Sequence, residues 1–421
     1  MDKILNESSE MNISYKLWNK DFSLVVVCQA IVLFCNMTLS FALAYHVLAI
    51  TESSAVFGMA LGLPYISLLV LSPIGGIIAD RLRKQRIMFW LDVLAIILIL
   101  TYMAISGLIM SAIPIVFVKL LALNAIQGAY MPAIQAAVPV LIPSDKLTTG
   151  NAVVGIVNTL ANMAGPALAA VSYARFGLYP ILIFCAVCYV VTAITDLFIR
   201  IPHQKQLASE SISSMVKNDM ALAIRFITKE KPVIVKLSVV LFLFTMLNIS
   251  LFLVGLPVLI TQNLGMDMSL MGASQALMMA GGLLGGIVAG AFGTRLTIKK
   301  YPLFLLIATV VLVPMGLIFL VGGHIHLIFG VITAAGVVVM FMNTLIVLVG
   351  VTFIQRETPS ELLGKVMSVI MMTPFLATAL GQMIFGVVFE QLADYPWITI
   401  LGTAALLVVV VMYSRFVASG K

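Results

Sequence analysis

Long apolar stretches separated by short polar breaks dominate this chain. Dividing it at charged, Pro-rich or Gly-rich positions yields twelve stretches, each about the 20 residues or more that an α-helix needs to cross hydrocarbon. The alternation of polar and apolar residues typical of membrane strands does not occur, so the pattern predicts an all-α membrane protein. The predicted spans are 22–50, 56–79, 86–109, 113–138, 149–172, 179–200, 233–261, 268–294, 301–321, 327–354, 364–389 and 397–416.

The composition agrees with this pattern. Of 421 residues, 62% are hydrophobic and 10% are charged, against about 45–50% and 25% in soluble domains. Four cysteines are too few for a disulfide scaffold. The N-terminus is polar and the first apolar stretch begins near Phe22, which argues against a secretory signal peptide.

The positive charges predict the orientation. Although the net charge is +7, the basic residues lie in short loops between apolar stretches rather than on one solvated face, so nucleic-acid binding is not expected. If both termini are cytoplasmic, 22 of the 24 Lys and Arg residues face the cytoplasm, and only Lys119 and Arg175 do not. The positive-inside rule therefore predicts cytoplasmic N- and C-termini.

A long polar connection divides the chain into halves of similar size. The sequence predicts an N-terminal six-helix bundle at 1–200, a cytoplasmic linker at 201–232 and a C-terminal six-helix bundle at 233–421. Apolar residues recur in the linker at helical spacing, which favours an amphipathic helix on the inner leaflet. A plain solvated connector is the alternative.

Glycines recur at corresponding places in the two halves. Gly75-Gly76-Ile77 in the second span corresponds to Gly285-Gly286-Ile287 in the eighth, and Gly165 in the fifth corresponds to Gly381 in the eleventh. These matches predict two parallel six-helix repeats. Such repeats place a substrate cavity between the halves, near the middle of the membrane.

The loop after the second span identifies a family. It runs from Gly76 through Asp80-Arg81 to a basic cluster ending at Arg86, and it resembles the signature loop of the major facilitator superfamily. The segment from Gly128 to Pro132 and the Gly165-Pro166 pair resemble the efflux branch, which includes macrolide and siderophore exporters. The resemblance covers the whole chain and implies the major facilitator fold in a bacterial cytoplasmic membrane.

The resemblance also implies a conformational latch. Asp80 would bind the start of the eleventh span, where Ser360 is a candidate cap, when the cytoplasmic side is closed. The alternative is that the basic residues only set the topology. The implied latch residues are Gly76, Asp80, Arg81, Arg83, Lys84 and Ser360.

Polar residues inside the spans are candidates for a substrate cavity. In this family spans one, four, seven and ten line the cavity, and each carries an asparagine near its middle. Polar groups at this depth are costly unless they are satisfied, so they either face a cavity or join helices by hydrogen bonds. The predicted cavity residues are Gln29, Asn36, Lys119, Asn124, Gln127, Asn158, Asn162, Asn248, Gln275, Asn343 and Gln382.

Ionisable residues are rarer in the spans. Lys119 either snorkels to the outer surface or binds an anionic substrate group. Asp92, Asp196 and Asp21 are the candidate proton carriers. Asp92 and Asp196 lie close enough to the inner surface to pair instead with Arg86 or Arg200.

These observations favour a secondary transporter that exports an amphipathic small molecule by alternating access, with protons as candidate partners. A lipid-handling or receptor-like protein and a nutrient importer are the alternatives. The sequence shows no phosphate-binding loop, nucleophile–base pair or metal-ligand cluster, so no enzyme activity, cofactor or metal is expected. The expected partners are a small-molecule substrate and membrane lipid, and the expected state is a monomer.

Overall fold

The structure is a computed structural model that describes residues 18–106, 113–143, 146–201, 220–292 and 295–418. Within the helices, the side chains at 73–74, 76–81, 148, 360 and 418 lie outside this description. Every statement below concerns the described part of the chain.

Twelve helices are long and apolar enough to cross a membrane, which confirms the predicted number of spans. They are α1 (Lys20–Thr51), α2 (Ser54–Arg81), α3 (Lys84–Ser106), α4 (Ile113–Leu141), α5 (Leu147–Phe176), α6 (Leu178–Asp196), α7 (Pro232–Asn263), α8 (Met268–Phe292), α9 (Ile298–Val321), α10 (Ile325–Glu357), α11 (Ser360–Gln391) and α12 (Pro396–Ala418).

Side chains next to the helix ends satisfy free backbone amides. The Asn19 side chain accepts a hydrogen bond from the Phe22 amide at 2.8 Å, which begins α1. At the start of α8 the Asp267 carboxylate accepts from the Ser269 amide at 2.6 Å. This bond favours the ionised carboxylate and holds the pKa of Asp267 below its ordinary value.

Some helices depart from regular α-geometry. In α7, the segments Thr245–Ile249 and Leu259–Asn263 are π-helical turns. Prolines 132 and 139 lie inside α4, Pro166 inside α5 and Pro374 inside α11. Each proline removes a backbone hydrogen bond, so these helices carry built-in points of bending.

The paired glycines occupy equivalent helix crossings in the two halves. A Cβ built at Gly75 would lie 2.7 Å from the Gly128 carbonyl oxygen of α4, and one at Gly285 would lie 2.7 Å from the Phe341 carbonyl oxygen of α10. Thus α2 crosses α4 as α8 crosses α10.

The second pair of glycines repeats this relation. Gly165 packs on Met37 of α1 so closely that a Cβ would overlap it, and Gly381 packs in the same way on Met246 and Ser250 of α7. The structure therefore confirms an all-α membrane fold built from two six-helix repeats.

The connection between the repeats is described only in its last part. Residues 202–219, which include most of the predicted amphipathic helix, lie outside the described residues. Residues 220–225 are helical and continue into the π-helical turn Phe226–Glu230. Lys231 then pairs with Glu357 at the end of α10, with Nζ 2.7 Å from Oε2.

Candidate functional site

A cavity of about 640 Å³ lies between α1, α2, α4, α5 and α11. Its lining is polar on α4 and α5, and largely apolar on α2 and α11. The lining residues are Met37, Ser40, Phe41, Ala60, Leu61, Pro64, Tyr65, Leu68, Leu69, Ser72, Asn124, Gln127, Gly128, Met131, Pro132, Gln135, Asn158, Asn162, Gly364, Met367, Ser368, Met371, Met372 and Phe375.

The chemistry of this lining is neutral. Five methionines and three aromatic rings are combined with five side-chain amides, and no Asp, Glu, Lys or Arg occurs among the described lining residues. Methionine is flexible and polarisable, so it adapts to irregular apolar shapes. Nor do the described residues include a group of three His, Cys, Asp or Glu side chains able to hold a metal ion.

Four of the predicted cavity residues line this cavity: Asn124, Gln127, Asn158 and Asn162. On α5 the Asn162 amide donates to both the carbonyl and the side-chain oxygen of Asn158, each at 2.8 Å. The amide oxygen of Asn162 is therefore left to face the cavity. On α4, Gln127 accepts a hydrogen bond from Asn36 of α1, which fixes its orientation.

The other predicted amides are not in this lining. Asn36 is buried behind Gln127, and Gln29 is fully buried and donates to the Val154 carbonyl at 3.2 Å. Asn248 lies in a π-helical turn and donates to the Ala308 carbonyl of α9 at 3.4 Å. For these residues the structure shows hydrogen bonds between helices.

Three more predicted residues lie elsewhere. Gln275 of α8 hydrogen-bonds the Tyr45 hydroxyl of α1 at 3.1 Å, and Gln382 is fully buried where α11 packs on α2. Asn343 of α10 is half-buried and is not among the lining residues.

Lys119 does not snorkel and does not reach the cavity. It is 3% exposed, and its ammonium lies over the Tyr102 ring, 4.2 Å from the centroid. The ring face is a favourable contact for an ammonium, and Nζ has no hydrogen-bond partner among the described residues.

The candidate proton carriers have different environments. Asp21 is half-buried and accepts from the Arg200 backbone amide at 3.0 Å, which ties the start of α1 to the end of α6. Asp92 and Asp196 are fully buried, and the exposed residues Arg86 and Arg200 do not pair with their carboxylates. The expected structural pairing of these two acids is therefore not found.

One end of the cavity is closed by contacts between the repeats. The Glu390 carboxylate of α11 accepts from the Ala55 amide at 2.8 Å and from the Ser53 hydroxyl, so it caps the N-terminus of α2. Nearby, the Ser54 hydroxyl donates to the Gly386 carbonyl at 3.1 Å, and Gln262 of α7 donates to the Glu52 carbonyl at 3.0 Å.

Two close helix crossings extend this closure inward. A Cβ built at Gly58 of α2 would lie 2.7 Å from the Gly386 Cα of α11, and one at Gly272 of α8 would lie 2.7 Å from the Val171 side chain of α5. The rings of Tyr65 and Phe375, which both line the cavity, stack with centroids 6.2 Å apart. Sequence reasoning missed Glu390, because a lone acid near a predicted outer loop carries no signal of its partner.

The lining residues of α2 continue to Ser72, and those of α11 begin at Gly364 near the start of that helix. The cavity therefore extends toward the end that carries the α2–α3 loop, the predicted cytoplasmic end. There Arg83 is exposed and Lys84 is half-buried. The remaining predicted latch side chains, at Gly76, Asp80, Arg81 and Ser360, lie outside the described residues, so the latch stays a prediction.

The Glu390 cap gives a testable prediction. Glu390→Ala should raise labelling of a cysteine placed at Ser40 by an impermeant maleimide added on the predicted outer side. The reason is that the Ala55 amide and the Ser53 hydroxyl, at the start of α2, lose their acceptor. We expect an increase of about five- to tenfold, since a hydrogen bond to a charged group contributes about 1.5–3 kcal/mol and this one is partly solvated.

Glu390→Gln is the matched control, because it keeps one acceptor oxygen and should give an intermediate rate. The labelling is measured in a background with the four native cysteines replaced. Equal rates for the wild type and Glu390→Ala would show that the cap does not hold the outer end closed.

Comparison with known proteins shows which family this chain matches. The model of the Major Facilitator Superfamily matches residues 25–382. Macrolide efflux protein A of Streptococcus pyogenes is 24% identical over 411 residues, covering 94% of this chain and 96% of that protein.

Solved structures share the fold at low identity. A bacterial homolog of the human lysosomal transporter Spinster has a TM-score of 0.70 at 14% identity, covering 96% of this chain and 98% of its own. A D-xylose-proton symporter has a TM-score of 0.70 at 11% identity, and the match covers 93% of this chain and 96% of the symporter. A family match over most of the chain, on the twelve-helix fold described above, shows that this protein belongs to the major facilitator superfamily and is a membrane transporter, not an enzyme.

Proposed function

We propose that this transporter exports an amphipathic small molecule of the macrolide type from a bacterial cell. The observation that carries the proposal is the cavity lining, which combines amides with methionines and aromatic rings and holds no charged side chain among the described residues. The similarity to a macrolide efflux protein supports the same class of substrate.

The size and polarity of the cavity support such a ligand. Small-molecule sites have volumes of about 300–1,000 Å³, and this cavity has about 640 Å³. The amides of Asn124, Gln127 and Asn162 offer both donors and acceptors to an oxygen-rich ring. A strongly anionic siderophore would find no cation in the described lining, so the macrolide class is favoured over it.

Transport would proceed by alternating access. We propose that the bundles at 1–200 and 233–421 rock against each other, with the linker 201–232 joining them in the cytoplasm. In the described state the end that carries Glu390, which is the predicted outer end, is closed. In the opposite state the Asp80 latch would close the cytoplasmic end by binding the start of α11. Both bundles come from one chain, so a monomer suffices.

Uptake by everted membrane vesicles tests this function. Vesicles containing the protein should accumulate a labelled macrolide when energised, and should lose the accumulation when an ionophore collapses the proton gradient. Right-side-out vesicles should not accumulate it. The control is the same membrane without the protein.

The same vesicles separate the alternatives. Energised uptake of a sugar or nucleoside by right-side-out vesicles would identify an importer. Movement of a labelled lysophospholipid in place of the macrolide would identify a lipid transporter. Either result, with no macrolide uptake, would overturn the proposal.

A further inference from the structure

A second groove lies in the C-terminal repeat, at the predicted cytoplasmic end and away from the substrate cavity. It lies between the last turns of α8 and α10 and the segment Leu296–Ile298 that leads into α9. Its volume of about 430 Å³ falls within the range of about 300–1,000 Å³ of small-molecule sites. Arg356 is the one charged residue among its described lining residues, so the groove combines a positive charge with largely apolar walls.

Small and polar residues leave room for an anion in this groove. A Cβ built at Gly290 would have no atom within 4 Å, and one built at Gly286 would meet only the Thr344 side chain, at 4.0 Å. The lining also contains Thr297 and Thr352, which are exposed and carry hydroxyl groups that can donate hydrogen bonds.

The charge of Arg356 is not neutralised by an acid. Arg356 is exposed, and its guanidinium has no acidic partner among the described residues. The neighbouring Glu357 pairs with Lys231 instead, with Nζ 2.7 Å from Oε2. The guanidinium is therefore available to an anionic ligand.

More positive charge borders the groove. Arg295 precedes the lining segment Leu296–Ile298, and Lys299 and Lys300 follow it. All three are exposed, and none pairs with an acid in the described part of the chain. Such a cluster attracts anions to this end of the repeat.

Exposed apolar side chains stand on the same two helices. Ile287 and Phe292 of α8 are 67% and 48% exposed, and Leu348 of α10 is 42% exposed. They lie in the last turns of membrane-spanning helices, where acyl chains meet headgroups. A ligand with one anionic end and one apolar end matches this arrangement better than a free anion.

The two repeats differ in charge at the corresponding places. In the registers of the paired glycines described above, Gly290 of α8 corresponds to Asp80 of α2, and Arg356 of α10 corresponds to Val140 of α4. The second repeat has therefore lost an acid and gained a cation here, which favours an anionic ligand in this repeat alone.

We propose that this groove binds the headgroup of an anionic phospholipid, such as phosphatidylglycerol, from the leaflet at this end of the protein. The planar guanidinium of Arg356 would hold the phosphate by two hydrogen bonds, and the flanking cations would add attraction. The exposed apolar side chains would contact the acyl chains. The proposal does not depend on which substrate the cavity carries.

Native mass spectrometry of the purified full-length protein tests the site by counting bound lipids. After incubation with equal amounts of phosphatidylglycerol and phosphatidylcholine, the wild type should retain mainly phosphatidylglycerol. Gly290→Asp, which restores the acid of the first repeat, and Arg356→Gln should each lower the ratio of the two bound lipids. We expect about a fivefold decrease, which corresponds to ~1 kcal/mol for one basic residue near an anionic membrane surface.

Two control variants separate charge from size and from position. Gly290→Asn adds a side chain of the same size as aspartate without its charge, so it should keep the ratio of the wild type and shows that the position accepts a side chain. Arg415→Gln removes an exposed arginine in the last turn of α12, outside the described lining, and should also keep the ratio.

Three results would overturn the proposal. The first is a ratio that neither Gly290→Asp nor Arg356→Gln changes. The second is a decrease in Arg415→Gln as large as that in Arg356→Gln, because the lipid would then follow basic residues in general. The third is displacement of the retained phosphatidylglycerol by inorganic phosphate, which would assign the groove to a soluble phosphate compound.

Discussion

Replacing Gly58 with alanine is expected to open the predicted outer end of the transporter and to reduce transport strongly. The added Cβ would overlap the backbone of α11, because it would lie 2.7 Å from the Gly386 Cα and closer still to the Gln382 carbonyl oxygen. Backbone atoms cannot rotate away, so α2 and α11 must separate. Overpacking of this kind costs about 1–3 kcal/mol, which shifts a two-state equilibrium by about 5- to 150-fold.

The shift is measured with a cysteine at Ser40 of the cavity and an impermeant maleimide. Labelling from the predicted outer side should increase and labelling from the opposite side should decrease. Gly402→Ala is the control, because no atom lies within 4 Å of a Cβ built there. Unchanged labelling of the Gly58→Ala variant from both sides would contradict the role of this crossing as the outer closure.

The twelve spans and the two repeats were predictable from the sequence for physical reasons. A bilayer requires about 20 apolar residues per helix, so span number follows from the apolar stretches. The corresponding glycines, such as Gly75 and Gly285, were informative because helices that cross closely leave no space for a side chain. Two halves with small residues at the same places must cross their helices in the same way.

The candidate site was less predictable. Asparagine and glutamine inside a span satisfy their polar groups equally well by facing a cavity or by bonding a neighbouring helix, and sequence position does not distinguish these outcomes. Asn162 faces the cavity, whereas Asn248 bonds α9, although both were predicted as cavity residues. The direction in which such a side chain points depends on how its helix is rotated about its axis, and packing across the whole bundle sets this rotation.

The same limit explains the contacts that sequence reasoning missed. Glu390 caps a helix that is more than 300 residues away in the chain, at Ala55. Likewise, Lys119 was expected to seek the surface or an anion, but the Tyr102 ring on the neighbouring helix provides its partner. Such pairs arise from tertiary contacts and leave no local pattern.

Changing Asn162 to aspartate is expected to reverse the substrate preference. The side chain lines the cavity and is nearly isosteric, so the cavity keeps its shape and gains one negative charge. A cation about 5 Å from this carboxylate gains about 3 kcal/mol at an effective dielectric constant of about 20. Solvent in the open cavity reduces the gain to about 1–2 kcal/mol, which is still about tenfold in affinity.

A macrolactone without the basic amino sugar of common macrolides is uncharged, and its affinity should fall over the same range. Its contact with an amide is replaced by a carboxylate, which must be desolvated and which repels the nearby Asn158 side-chain oxygen. Competition between this macrolactone, in labelled form, and the lipophilic cation tetraphenylphosphonium, measured in everted vesicles, gives the ratio of the two affinities for wild type and variant.

Two controls separate charge from shape and from position. Asn162→Ala removes the amide without adding a charge, so it should weaken macrolide binding without favouring the cation. Asn151→Asp adds the charge on the same helix at an exposed residue outside the described lining, so it should change neither affinity. If Asn162→Asp leaves the ratio of affinities unchanged, substrate does not bind beside α5, and the neutral lining of this cavity does not determine what the protein transports.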